Sequence, residues 1–204
     1  MTKIKICGLK REEDIDFVNI AKPDYIGFVF AGTKRKIDFN TAEKFKSLLS
    51  KEIQAVGVFV NENIADIANL CKYSVIDLIQ LHGEEDEFYI SKLKEKVKQS
   101  VIKVVKISRE TVCNVDTKAD FVLFDTYTNF EYGGSGKIFN WNLIKEFKKP
   151  FFVAGGLNKD NIEKVLAELN PYCVDLSSGV EMNGVKDLSK IREITQIIRE
   201  ITIR

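Results

Sequence analysis

The chain has 204 residues with 31 basic and 30 acidic side chains, a formal charge of +1. That length suits one sizeable core, so residues 1–204 read as a single domain, and the balanced charge gives no electrostatic reason to expect nucleic acid or a membrane surface as partner. No run approaches the roughly 20 apolar residues that span a bilayer, and no signal-peptide pattern opens the chain, so a cytoplasmic protein is expected.

The first β-rich run, Lys3 to Cys7, alternates, with Ile4 and Ile6 on one face and Lys5 and Cys7 on the other. Seven more follow: Tyr25 to Phe30, Ala55 to Val60, Ile76 to Leu81, Val101 to Ile107, Phe121 to Asp125, Phe151 to Ala154 and Val174 to Ser177. Helical spacing fills the gaps, as in Ile64, Ile67, Ala68, Cys71, then Ile162, Val165, Leu166, Leu169, and last Ile191, Ile194, Ile197, Ile198, Ile201. The stretch from Cys113 to Ala119 is too short and polar for a full helix and reads as an abbreviated crossover. Eight strand–helix units of about 25 residues each predict an α/β fold, a (β/α)8 or TIM barrel with short loops, with an open doubly wound sheet as the alternative.

Ten of the twelve glycines fall at or beyond the carboxyl ends of these strands; only Gly27 and Gly57 lie inside them. Glycine allows close backbone approach to a ligand, so this clustering marks the face where a barrel builds its site. Ala154-Gly-Gly-Leu-Asn158 follows the seventh strand and Ser177-Ser-Gly-Val-Glu181 the eighth. Loops of small residues at those two strands expose backbone N–H groups able to surround a phosphate.

If Ile4 and Ile6 pack outward, Cys7 points into the barrel at its upper rim. In the sixth strand Asp125 shares a face with Phe121 and Leu123, which sets a carboxylate at the strand end before the glycine-rich segment Gly133-Gly-Ser-Gly136. A rim cysteine serves either as a small hydrophobe or as a catalyst, and a strand-end aspartate either as a turn cap or as an acid. In the catalytic case, a cation such as Lys5 would help Cys7 act as a base and a partly desolvated carboxyl would serve as an acid; spacing alone leaves both readings open. The four cysteines, Cys7, Cys71, Cys113 and Cys173, lack the close spacing of a zinc site or disulfide framework.

Seven strings, Lys5-Ile-Cys-Gly-Leu9, Gly27-Phe-Val-Phe30, Val56-Gly-Val-Phe-Val-Asn61, Gln80-Leu-His-Gly-Glu84, Gly133-Gly-Ser-Gly136, Ala154-Gly-Gly-Leu157 and Ser177-Ser-Gly-Val-Glu181, together resemble the phosphoribosylanthranilate isomerase family over essentially the whole chain. The resemblance implies an Amadori rearrangement of N-(5'-phosphoribosyl)anthranilate in tryptophan biosynthesis, with a phosphorylated small molecule as partner and no metal or organic cofactor. It also implies Cys7 as general base, Asp125 as general acid and Arg35 as partner of the anthranilate carboxylate. Gln80 and His82 match pocket-lining positions, and the backbone of Gly155, Gly156, Ser178 and Gly179 matches a phosphate cradle. Three departures stand out. The loop from Phe30 to Arg35 is a residue shorter than in many relatives and carries Lys34 where proline is common, and Asn140 replaces a usual aspartate. Competing readings are a histidine-pathway isomerase, an indole-glycerol-phosphate synthase and a barrel that binds a phosphorylated ligand without turning it over. Monomer and homodimer both remain open.

Overall fold

Strands that are apolar on both faces need cover on both, and a sheet closed on itself inside a ring of helices supplies it. The computed structural model describes residues 1–32, 34–107, 115–125, 144, 147 and 149–203. Eight parallel strands close in chain order: β1 (Lys3–Cys7), β2 (Tyr25–Val29), β3 (Gln54–Phe59), β4 (Leu78–Leu81), β5 (Ser100–Lys106), β6 (Phe121–Asp125), β7 (Phe151–Ala154) and β8 (Cys173–Leu176). Around them lie α1 (Glu12–Ala21), α2 (Phe39–Leu48), α3 (Ile64–Lys72), α4 (Glu87–Lys94), α5 (Ile162–Leu169) and α6 (Leu188–Ile203). The pairing of β8 with β1 makes this the expected (β/α)8 barrel and rules out the open sheet.

Several strand ends differ from the sequence reading by one or two residues. Ile76 and Phe30 are buried yet belong to no strand, because burial follows apolarity while a strand also needs a neighbour's ladder. Of the expected crossover from Cys113 to Ala119, residues 115–119 are not helical, and Cys113 lies outside the described residues. So do Gly133, Gly134, Gly136 and Asn140.

One element was not foreseen. Between β8 and α6 a hairpin forms from β9 (Glu181–Met182) and β10 (Val185–Lys186). Its two-residue turn is Asn183-Gly184, both with positive φ (53° and 79°), which is the chemistry that a tight hairpin turn requires.

Alternation divides the apolar side chains into two cores. Tyr25, Val56, Leu78, Ile102, Leu123 and Phe152 fill the barrel interior, while Ile4, Ile6, Ile26 and Phe124 face outward onto Ile15, Val18, Val165 and Ile194 of the helices. Rings of Tyr25, Phe121, Phe152 and Tyr172, with centroids 5.2–5.8 Å apart, plug the barrel where its strands begin.

At that same end a device recurs three times. Asp24, Asp77 and Asp120, each the residue just before an even-numbered strand, accept hydrogen bonds from the backbone N–H of Ile4, Ala55 and Val101 in the preceding odd-numbered strand. Each is also paired with a lysine, respectively Lys3, Lys46 and Lys94. The carboxylates thus satisfy strand-start donors and fix neighbouring strands in register.

Phe152 is fully buried and joins three of the ring contacts in the plug. Phe152→Ala is expected to cost about 3–5 kcal/mol, seen as a lowered urea midpoint, whereas the exposed Phe88→Ala changes it by less than about 0.5 kcal/mol.

Candidate functional site

On four of the strands the last inward position carries a thiol, an amide or a carboxylate. Lys5 leads to Cys7, Leu78 to Gln80, Leu123 to Asp125 and Cys173 to Asp175, each two residues on and so on the same face. These ends floor a cavity of about 540 Å³, whose walls include Arg35, His82, Gly155, Gly156 and Ser178 from the loops beyond the strands. Its place at the carboxyl ends of the strands is the usual one for a barrel's site.

Cys7 owes its position partly to Gly27 on the neighbouring strand. A Cβ at residue 27 would lie 2.6 Å from the Cys7 Sγ, so glycine there leaves room for the thiol. Beneath it Lys5 is wholly buried and donates to Asp175 Oδ2 at 2.8 Å. Burial alone disfavours the Lys5 cation, but the charges of Asp175 and Cys7 outweigh it and hold the ammonium protonated. Burial also pushes the Cys7 thiol up, and the pull of Lys5 and Lys186 toward the thiolate does not overcome it. The expectation that Lys5 favours the thiolate is thus right in sign and too small in size, because the same enclosure that brings the lysine near removes the solvent.

His82 joins two elements of the floor. Its Nε2 lies 3.3 Å from Asp125 Oδ2 and its Nδ1 3.3 Å from Gln80 Nε2. A neutral ring with its proton on Nε2 satisfies both contacts, donating to Asp125 and accepting from Gln80. Among the described residues, Gln80 Oε1 and Asp175 Oδ1 are buried acceptors without a partner, and both residues line the cavity. Such atoms are costly to leave unpaired, and a ligand's donors would satisfy them.

Arg35 reaches the cavity from the loop after β2 despite the shortened connection. Its stem crosses Gly8, where a Cβ would come within 2.4 Å of Arg35 Cδ. Its guanidinium donates to both oxygens of Glu181, at 2.9 and 3.0 Å. Lys186, almost wholly buried, donates to Glu181 Oε1 at 2.9 Å and to the Ser177 carbonyl at 3.0 Å. Burial would raise the Glu181 carboxyl, but the hydrogen bonds and charges of Arg35 and Lys186 hold it down at about 2.

Of the residues singled out from the sequence, Cys7, Arg35, Gln80, His82, Asp125, Gly155, Gly156 and Ser178 all line the cavity; Gly179 does not. A Cβ on Gly179 would sit 1.9 Å from the Leu157 carbonyl oxygen, so its smallness lets the loops after β7 and β8 touch. Gly156, at φ 64°, has open space where a Cβ would be, leaving its backbone accessible.

Sequence reasoning missed Asp175, Glu181 and Lys186. Asp175 left a signal, since it shares the inward face of a buried strand with Cys173. Glu181 lay inside a quoted string without a role, and Lys186 had none until the hairpin formed. Among the described residues no group of three or more His, Cys, Asp or Glu side chains could hold a metal ion, and no helix is long and apolar enough to cross a membrane.

Fold and mouth define a class: a (β/α)8 barrel of the enzyme type, with its polar groups gathered beyond the carboxyl ends of the strands. The family of N-(5'phosphoribosyl)anthranilate (PRA) isomerases matches residues 4–197, and the chain belongs to it. It is 66% identical over 201 residues to the N-(5'-phosphoribosyl)anthranilate isomerase of Endomicrobium trichonymphae, covering 98% of this chain and 100% of that one. The crystal structure of phosphoribosyl anthranilate isomerase from Thermotoga maritima superposes with a TM-score of 0.83 at 34% identity, covering 98% of this chain and 100% of that chain. A structure of such an isomerase in complex with reduced 1-(o-carboxyphenylamino)-1-deoxyribulose 5-phosphate superposes with a TM-score of 0.80 at 30% identity, covering 98% and 100%.

Glu181 ionises at about 2 in the folded protein against an ordinary 4.5. Its depressed value stabilises the fold above pH 4.5, and that contribution is lost as pH falls toward 2. Wild type is therefore expected to lose more stability than Glu181→Gln over that window, measured by urea unfolding at a series of pH values.

Proposed function

We propose that the chain isomerises N-(5'-phosphoribosyl)anthranilate to 1-(2-carboxyphenylamino)-1-deoxyribulose 5-phosphate in tryptophan biosynthesis. The observation that carries this reading is the joint placement of Cys7 and Asp125 on one cavity floor between Arg35 and the two small-residue loops, in a chain of this family.

In this reading Asp125 protonates the furanose ring oxygen as its bond to the anomeric carbon breaks, leaving a protonated Schiff base. The Cys7 thiolate then takes the proton from the neighbouring sugar carbon, and the electron pair moves to give an enolamine that tautomerises to the ketone. His82, hydrogen-bonded to Asp125, orients the carboxyl, and Gln80 fixes the ring of His82 in turn. The backbone of Gly155, Gly156, Ser178 and Gly179 belongs to the phosphate cradle, the first three facing the cavity and Gly179 holding the two loops together. Arg35 receives the anthranilate carboxylate. The described cysteines, Cys7, Cys71 and Cys173, are free thiols, which suits the reducing cytoplasm.

Loss of anthranilate-type fluorescence on mixing freshly generated phosphoribosylanthranilate with the protein is the direct test. Cys7→Ala and Asp125→Asn should each reduce kcat by at least about a hundredfold while still binding the reduced product analogue. Near-normal turnover in either variant rejects the role given to that residue. Because burial raises the Cys7 thiol above its ordinary value of 9.0, kcat/KM should climb with pH through the neutral range into the alkaline. A pH-independent kcat/KM between 7 and 9 would remove Cys7 as the base.

A further inference from the structure

Glu181 grips Arg35 by one particular edge. Arg35 Nε donates to Oε1 and Nη2 to Oε2, so the carboxylate occupies the lateral edge of the guanidinium. The terminal edge, made by Nη1 and the second proton of Nη2, is not used by Glu181 and has the fork geometry that matches another planar carboxylate. The Arg35 stem is confined as well, since it lies across Gly8, the residue after Cys7.

Two carboxylates on one guanidinium repel each other, and a bare Arg35–Glu181 pair would present no net charge to an incoming anion. Lys186 changes that sum. It stands opposite Glu181 in the register of the β9–β10 hairpin and donates to the same Oε1. Two cations and one anion leave the cluster at a net charge of +1.

We propose that Glu181, charge-balanced by Lys186, is a positioning residue that holds Arg35 with its terminal edge toward the substrate's aromatic carboxylate. It thereby sets the preference for an amino-aryl group that carries this carboxylate. The inference rests on the role assigned to Arg35 above. Positioning and simple attraction predict opposite signs here, because removing the Glu181 charge makes the cluster more positive while freeing Arg35 to turn.

The test compares two ligands by titration calorimetry: the reduced 1-(o-carboxyphenylamino)-1-deoxyribulose 5-phosphate and its phenylamino counterpart without the carboxylate. In wild type the carboxylate ligand binds more tightly, and Arg35→Ala removes the difference. Glu181→Gln is expected to shrink the ratio of the two Kd values by about tenfold, the worth of one charge-assisted hydrogen bond. Affinity for the carboxylate-free ligand stays within about twofold, and in turnover KM rises while kcat changes little. Glu181→Asp keeps the charge but has a shorter reach, so it should shrink the ratio too, and it serves if the glutamine variant does not fold. An unchanged or larger ratio in both variants overturns the proposal, as does an equal loss of both ligands, which marks a purely structural role. If Arg35→Ala itself leaves the ratio intact, the reading of Arg35 fails and the inference falls with it.

Discussion

The pairing of β8 with β1 is the contact on which the rest of the molecule depends. It places Lys5 opposite Asp175 and Lys3 opposite Cys173, residues 170 positions apart in the chain. On the seam the buried Lys5–Asp175 ion pair spans the two strands, and just above it Ser177 Oγ donates to the Cys7 carbonyl at 3.1 Å. Closure therefore delivers the thiol of the first strand and the loop of the last strand to one place. A charge pair so deep is a poor source of net stability, yet removing one partner strands the other and costs about 3–5 kcal/mol. It acts best as a specification of register, since a slip of one residue would bury a lone charge.

Closure also decides the character of the cavity. Inward positions from all eight strands converge on a narrow column, filled by rings at the strand starts and by aliphatic side chains above them. Apart from the buried Lys5–Asp175 pair, the polar side chains of the described inward positions gather toward the carboxyl ends, where the column opens. There the enclosure works in two directions. It raises the Cys7 thiol, while the close fit of Arg35 and Lys186 around Glu181 holds that carboxyl far below its ordinary value. A chain with a formal charge of only +1 thus concentrates Lys34, Arg35 and Lys186 around one rim, and so offers an anion locally what its overall charge does not.

Much of this was legible beforehand for a simple reason: periodicity reports which face is buried. The alternation in Lys3 to Cys7 set Cys7 on the face opposite Ile4 and Ile6, and that in Phe121 to Asp125 set Asp125 on one face with Phe121 and Leu123; in the structure both line the cavity. Strand limits were less legible at Ile76 and Phe30, where burial continues beyond the ladder. The hairpin has a turn signal in Asn183-Gly184, but its two-residue strands are too short to show alternation, and nothing local marks Lys186 as the partner of Glu181.

By itself, the sequence determined the kind of fold, which residues share a face in the first and sixth strands and the end of the barrel where small-residue loops gather, because these follow from local alternation and from where glycine is needed. Only the tertiary structure decided which charges meet. Lys5 finds Asp175, Arg35 finds Glu181, and His82 bridges Gln80 and Asp125. Two of these three connect residues more than a hundred positions apart, and the third depends on two strands that are not neighbours in the barrel. Such contacts have no sequence period. They arise when the sheet closes and the residues at its mouth come within hydrogen-bonding distance.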